Sequence, residues 1–341
     1  MRRGSIVALL GIAVVAGGVA AAVALVPQWL PTPAAREAGR IDFVFWFVIV
    51  ICIAIFSLVA AALVYSVLRF RVRPDDLEDG PPIHGHTGLE IGWTLIPFLL
   101  VTSIAIVSAI VLSRNAAQAR DTLRINVTAQ QFKWTFSYPD AKNVTSPVLR
   151  LPKDRSVELY MRALDVVHSF WVPQFSQKED AVPGLVTQLH ITPDRLGTFP
   201  VLCTELCGLG HALMRSQAIV MPPAAFDRWL KQQEKGASAA ASAPVTGLSV
   251  FKANSCASCH TLQAAGATGK VGPDLDKLAS YAQQAHAGQL AAFVRDSIVE
   301  PNAYVQPGYP QNVMPQTFGK TLSSKELNAL VGFLVQSSKK E

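Results

Sequence analysis

Apolar residues follow three different rhythms along the chain. From about Ser5 to Val26 the sequence is continuously apolar and rich in Ala, Gly and Val, behind Arg2 and Arg3. A charged start, an apolar stretch and the small residues Ala22-Val23-Ala24 have the form of an export signal with a cleavage point. The run is long for a signal core, so residues 1–34 are expected to be either a signal peptide or an N-terminal apolar segment. Two further apolar runs, 43–68 and 91–112, each exceed the ~20 residues needed to cross a bilayer core. Arg69, Arg71 and Arg73 follow the first, which places that end on the cytoplasmic side, and Trp93 sits near the start of the second. Residues 35–118 therefore predict a transmembrane hairpin with both ends outside the cytoplasm.

The rhythm then shortens to two. In Leu123-Arg124-Ile125-Asn126-Val127 and in Phe132-Lys133-Trp134-Thr135-Phe136-Ser137-Tyr138 apolar and polar residues alternate, as they do around Val157, Leu159, Met161 and Ala163. Period two means strands with one buried face. Pro139-Asp140, Pro152-Lys153-Asp154, Pro183-Gly184 and Pro193-Asp194 mark turns between them. Residues 119–235 thus predict an all-β sandwich or barrel, closed by a short amphipathic helix near Pro222–Gln233. Gly236 to Pro244 is Ala/Ser-rich, and 236–246 predicts a flexible linker. Residues 247–341 take the helical rhythm, with the stripe Leu327, Leu330, Phe333 and Leu334 near the end.

Composition supports a membrane protein: 50% of the 341 residues are hydrophobic and 16% charged. The net charge of +6 comes from scattered basic residues with no aromatic interleaving, which excludes a nucleic-acid partner. Of the five cysteines, Cys52 lies in an apolar run and is expected to be a small buried residue. The other four form two close pairs, unlike a disulfide framework.

Cys256-Ala257-Ser258-Cys259-His260 is the C-x-x-C-H signature of covalent haem attachment, with His260 on the iron. A second axial ligand is needed, and Met314 is the only methionine after the linker. His286 is the competitor, and a surface position is expected for it. Gly272-Pro273-Asp274-Leu275 resembles the loop of small cytochromes c whose proline carbonyl accepts a hydrogen bond from the ligating His. A thioredoxin-like dithiol would want a βαβ context, and zinc a further ligand pair.

The other pair lies in Cys203-Thr-Glu205-Leu-Cys207-Gly-Leu-Gly-His211-Ala-Leu-Met214, with Asp165-Val-Val-His168 upstream. Two thiols, two imidazoles and a thioether form a soft, copper-preferring set. One Cys would suit a mononuclear site, and the second permits two bridged copper ions. A disulfide would explain neither His211 nor Met214, and zinc would leave the Met unused.

The motif C-x-E-x-C-x-x-x-H-x-x-M, with the hairpin before it, resembles cytochrome c oxidase subunit II over residues 35–235. With the haem domain appended, the chain is similar to caa3-type oxidases. The resemblance implies a multidomain fold: a two-helix transmembrane hairpin, a cupredoxin-like Greek-key β-barrel and an all-α class I cytochrome c domain. It also implies that Cys203 and Cys207 bridge two copper ions, that His168 and His211 bind one each, and that Met214 and the Glu205 carbonyl complete the site. The Glu205 carboxylate resembles a Mg2+ ligand at the contact with subunit I. Glu90 matches an acidic residue at the mouth of a proton path, or is a solvated charge at a helix start. The family's Gln-Trp-x-Trp is here Gln131-Phe132-Lys133-Trp134, so Phe132 and Trp134 stand where electrons enter, unless Phe132 is an ordinary half-exposed strand residue.

The expected function is an electron relay without an oxygen-reducing centre of its own. Electrons would pass from a cytochrome c or bc complex through one covalent haem c and the copper pair to subunit I, accompanied by subunit III, in a bacterial plasma membrane. Two rivals are a nitric-oxide or nitrous-oxide reductase component and a free-standing shuttle or copper carrier. Quinol-oxidising relatives lack the copper ligands, so quinol is not the expected direct donor.

Overall fold

The computed structural model describes residues 3–71, 82, 84–116, 121–240 and 245–338. Arg73 and residues 241–244 of the linker lie outside the described residues. The chain divides into two compact units, Met1–Ala119 with Gln174–Ser176, and Arg120–Pro173 with Gln177–Glu341.

The first unit holds α1 (Arg3–Leu25), α2 (Arg36–Arg69) and α3 (Thr87–Asn115), each long and apolar enough to cross a membrane. The apolar runs 43–68 and 91–112 fall inside α2 and α3. Both helices continue beyond them, because backbone hydrogen bonding outlasts the lipid-facing stretch at polar residues such as Arg36 and Arg69. Arg40 near the start of α2 donates from Nη1 to Arg114 O (3.1 Å) and to Asn115 Oδ1 (2.7 Å) at the end of α3, which is the closure an antiparallel hairpin requires. A Cβ on Gly17 would come within 2.8 Å of Ser57 Oγ, so α1 approaches α2 closely at a residue without a side chain. Cys52 is exposed on α2, not buried as expected. An apolar run that spans a bilayer needs no protein core to cover it.

The second unit begins with ten strands: β1 (Leu123–Gln130), β2 (Lys133–Tyr138), β3 (Val144–Ser146), β4 (Leu149–Pro152), β5 (Val157–Ala163), β6 (His168–Val172), β7 (Gln177–Ala181), β8 (Thr187–Ile191), β9 (Gly197–Cys203) and β10 (Arg215–Met221). They make two five-stranded sheets, ordered β3-β2-β1-β5-β8 and β4-β10-β9-β6-β7. Most pairs are antiparallel, but β1 runs parallel to β5 and β4 to β10. The alternation seen in the sequence becomes the core: Ile125, Val127, Phe136, Leu159 and Met161 from one sheet meet Phe170, Val172, Val201 and Leu151 from the other, all fully buried. Burial of each such side chain contributes about 1.5–3 kcal/mol. Phe132 departs from the pattern. Gln130 pairs with Lys133, so Gln131 and Phe132 form the two-residue turn of the β1–β2 hairpin, and Phe132 is half-buried there instead of facing the core beside Trp134.

Helix α4 (Pro223–Ala240) seals one end, with Phe226 and Trp229 packed on Tyr138 at ring distances of 6.0 and 5.2 Å. It runs past Gln233 into the stretch expected to be flexible. Ala and Ser tolerate a helix already nucleated by a packed first turn.

The C-terminal part carries α5 (Gly247–Ala253), α6 (Leu278–Gln284), α7 (Leu290–Val299), α8 (Phe318–Thr321) and α9 (Ser324–Ser337). It is not purely helical. Thr261–Leu262 and Ala267–Thr268 form a small antiparallel ladder, β11 and β12, after the C-x-x-C-H turn. Thr246 caps α5, and Ser323 caps α9 through a reciprocal pair with Glu326. Leu327, Leu330, Val331 and Leu334 of α9 are buried, while Phe333 packs edge-on against Phe251 at 6.2 Å.

Candidate metal centres

The first centre assembles at one end of the sandwich. His168 opens β6, Cys203 closes β9, and the loop onward to β10 carries Glu205, Cys207, His211 and Met214. Thr204 N–H donates to Ser169 O, and Cys203 N–H donates to Met214 O, so strand pairing sets the spacing of the donors. The two thiol sulfurs lie 3.9 Å apart and are not bonded as a disulfide. Cys207 Sγ is 3.6 Å from His211 Nδ1 and 3.8 Å from Met214 Sδ, and Cys203 Sγ is 3.2 Å from the Glu205 carbonyl oxygen. One ligand atom each from His168, Cys203 and Cys207 falls within 4.8 Å of the others. His168 and Met214 are fully buried, while Glu205 projects into solvent.

This arrangement fits a metal. His168 Nε2 is held by Asp165 Oδ1 at 2.8 Å, which leaves Nδ1 buried with no partner on the sulfur side. Burial pushes the His168 pKa down, but Asp165 and the neighbouring Cys203 outweigh it and raise it. Burial likewise pushes the Asp165 carboxyl up, yet its bonds to His168 and to the Gln131 and Val166 N–H groups hold it below the usual range. Without metal, Cys203 is driven down to about 3, chiefly by its hydrogen bond with Cys207, and the same bond drives Cys207 up. A soft cation binds such thiols in their deprotonated form.

Sequence reading assigned no role to Asp165, although it stood in the quoted run three residues before His168. It also missed the Gln131 side chain, which donates from Nε2 to Cys207 O at 2.5 Å. Trp134 is buried behind the centre, its ring 6.2 Å from that of His168. Phe132 lies against the copper-side loop: a Cβ on Gly210 would come within 2.4 Å of its ring, and one on Gly208 within 3.3 Å of it.

The second centre is a cavity lined by Cys256, Cys259, His260, Pro273 and Met314, with an apolar wall that includes Leu330. Gln131 and Phe132 also line it. His260 Nδ1 is 2.8 Å from Pro273 O, which leaves Nε2 free to face the cavity. Burial lowers the His260 pKa, so the ring is held neutral, the form that binds iron. A Cβ on Gly272 would sit 2.5 Å from His260 Cε1, so only glycine lets this loop lie against the ring. Burial raises the Cys256 thiol to about 11. Met314 is on the cavity, whereas His286 is exposed and off it. The donor set and the apolar wall fit a haem.

Glu90 belongs to the first turn of α3. Its carboxylate accepts the His86 N–H at 3.1 Å and so closes the first turn of α3.

A β-sandwich with a clustered Cys/His/Met set, joined to a C-x-x-C-H cavity and an apolar helical anchor, defines a membrane metalloprotein of the copper- and haem-binding class. Family comparison is more specific. Residues 25–111 match the transmembrane domain of cytochrome c oxidase subunit II, 143–221 its periplasmic domain, and 245–338 cytochrome c. The chain is 32% identical over 304 residues to cytochrome c oxidase subunit 2 of Alkalihalophilus pseudofirmus, covering 84% of each chain. It is 33% identical over 248 residues to that of Synechocystis, covering 59% of this chain and 74% of the relative, and 30% identical over 293 residues to that of Bacillus subtilis, covering 79% and 80%. The chain belongs to the cytochrome c oxidase subunit II family, in the caa3-type form that carries a C-terminal cytochrome c domain, and it is part of an oxidoreductase complex.

Proposed function

We propose that this chain relays single electrons from its own haem-attachment site to its Cys203–Cys207 centre and on to subunit I of a haem-copper oxidase, where oxygen is reduced to water with coupled proton pumping. Bound haem c and copper supply the one-electron redox chemistry. The residues of the chain hold and insulate those groups. Cys256 and Cys259 would attach the haem, with His260 and Met314 on its iron. The contact of Pro273 O with His260 Nδ1 would leave Nε2 for the iron. Cys203 and Cys207 would bridge two copper ions. His168 clusters with both thiols, and His211 Nδ1 lies 3.6 Å from Cys207 Sγ, which supports one imidazole for each ion. Met214 Sδ and the Glu205 carbonyl complete the set.

The observation that carries this reading is the position of Phe132, which lines the haem cavity and also rests on the loop bearing the copper donors. The same reading places the two domains on the extracytoplasmic face of a bacterial plasma membrane. It gives the exposed Glu205 carboxylate to Mg2+ at the contact with subunit I, and Glu90 to the mouth of a proton path. Subunit III and an upstream cytochrome c or bc complex complete the partners.

Gentle purification through this chain tests the reading. The expected preparation contains a polytopic partner, consumes oxygen when reduced, and carries one c-type haem and two copper ions per chain beyond the metals of the partner. Consumption of nitric oxide without oxygen would transfer the chain to a reductase. Purification without any polytopic partner would leave only a shuttle.

A further inference from the structure

Four residues close the β1–β2 hairpin, and all four reach beyond their own strands. The two in the turn serve the copper side: Gln131 donates to Cys207 O and, through its N–H, to Asp165 Oδ2 at 2.7 Å, while Phe132 covers Gly208 and Gly210. The two that pair across the turn, Gln130 and Lys133, point to the haem domain. Gln130 Nε2 donates to Thr317 Oγ1 at 3.0 Å. Lys133 Nζ donates to Ala253 O at 2.9 Å and to Asn254 Oδ1 at 3.2 Å. Of the acceptors, Asn254 lines the haem cavity itself. Asn254 lies two residues before Cys256, and Thr317 lies three residues after Met314.

From this juxtaposition we infer that Gln130 and Lys133 are a latch that seats the haem domain of the same chain over Phe132. These are positioning residues for transfer from the haem site to the copper site. The inference rests on the relay reading above. Every acceptor in the latch is a neutral oxygen, so the seat is made of short-range hydrogen bonds and not of paired charges. Burial lowers the Lys133 pKa, as a cation drawn into a contact requires. Gln130 is buried, with 5% of its surface exposed. Exposed charge pairs weaken as the Debye length shrinks from about 10 Å at 0.1 M salt to about 3 Å at 1 M, whereas contacts of this kind do not. The step itself moves one electron: the haem site loses it, the copper site gains it, and no bond is made or broken at Phe132.

The test uses the full-length, metal-loaded complex and the variants Lys133→Met and Gln130→Leu, with Thr317→Val and Asn254→Ala as milder changes on the other side. Hydrogen exchange reads the seat directly, over peptides covering 250–256 and 313–320. Exchange there is expected to accelerate about tenfold or more in Lys133→Met, with copper and haem content unchanged, since loss of a charged hydrogen bond corresponds to that factor. Flash-induced electron transfer from haem to copper is expected to slow at least tenfold in the same variant, and to keep its wild-type rate between about 0.1 M and 1 M salt. Wild-type exchange in all four variants would overturn the latch. Faster exchange with an unchanged transfer rate would overturn its role in positioning, and a wild-type rate that falls with salt would overturn the neutral seat. Failure of the relay reading looks different: no electron would pass from haem to copper in the wild type, while the exchange differences persisted.

Discussion

The two centres are built in opposite ways. The copper-side donors are spread over β6, β9 and the loop before β10, and a complete apolar core already holds those strands in place. The haem side is the reverse. His260, Pro273 and both cysteines come from a short stretch of chain, but the cavity they line is part of the domain's own hydrophobic interior, bounded by the core residues Phe251, Phe293, Val294, Leu330 and Leu334. One centre is a pocket on a finished scaffold. The other is a core that its ligand completes.

Removing each ligand separates the two. With Cys256→Ser and Cys259→Ser the haem domain is expected to lose cooperative melting, a loss of about 5 kcal/mol or more, the whole stability of a small domain. The sandwich should melt as before. Cys203→Ser with Cys207→Ser should abolish copper binding and leave both melting transitions in place. Circular dichroism melting with metal analysis checks both halves, and a sandwich that unfolds without copper would break the comparison.

A sharper probe is Asp165→Asn. The amide still reaches His168, but the charge that balances a protonated or metal-bound ring is gone. Copper affinity is expected to fall 10–100-fold, measured by chelator competition, because partners of metal-binding histidines carry effects of that size. Haem content should not change. On the other side, Gly272→Ala would drive a methyl into the His260 ring. The expected cost is about 1–3 kcal/mol of haem-domain stability, with a perturbed axial-ligand spectrum and covalent attachment intact.

The smallest effect concerns acid. Hydrogen bonds from the Ser323 side chain and N–H hold the Glu326 carboxyl below its ordinary 4.5. A depressed folded-state value means that the stabilisation is complete above about pH 4.5 and is lost as pH falls through the lowered value. Wild type should therefore exceed Glu326→Gln by up to about 1 kcal/mol near neutrality, the scale of a helix cap, and the gap should close in acid. Urea titrations of the haem domain transition at several pH values measure it.

The legible parts of the molecule are those where chemistry or period is local. The C-x-x-C-H turn, the C-x-E-x-C-x-x-x-H-x-x-M loop and the apolar helices announce themselves because neighbours in sequence are neighbours in space. The alternation around Ile125, Phe136 and Leu159 marks strands, but the parallel pairing of β1 with β5 depends on contacts about 34 residues apart and leaves no periodic trace. Phe132 illustrates the limit. Its place in an alternating run suggests a strand face, and only the register Gln130 with Lys133 moves it into the turn. Gln130 and Lys133 themselves look like ordinary surface residues until the haem domain is placed over them.

Helix α4 has one more consequence. Because it persists to Ala240, only six residues separate it from the first turn of α5. At about 3.5 Å per residue the leash can stretch no more than ~21 Å, against ~39 Å for the whole stretch from Gly236 to Thr246. Confinement to so small a sphere keeps the haem domain at an effective concentration on the order of tens of millimolar beside the copper-side sandwich. Under the proposed relay, supply is then one-to-one: each copper centre owns a single private donor, and neighbouring complexes in the membrane have no common pool to compete for.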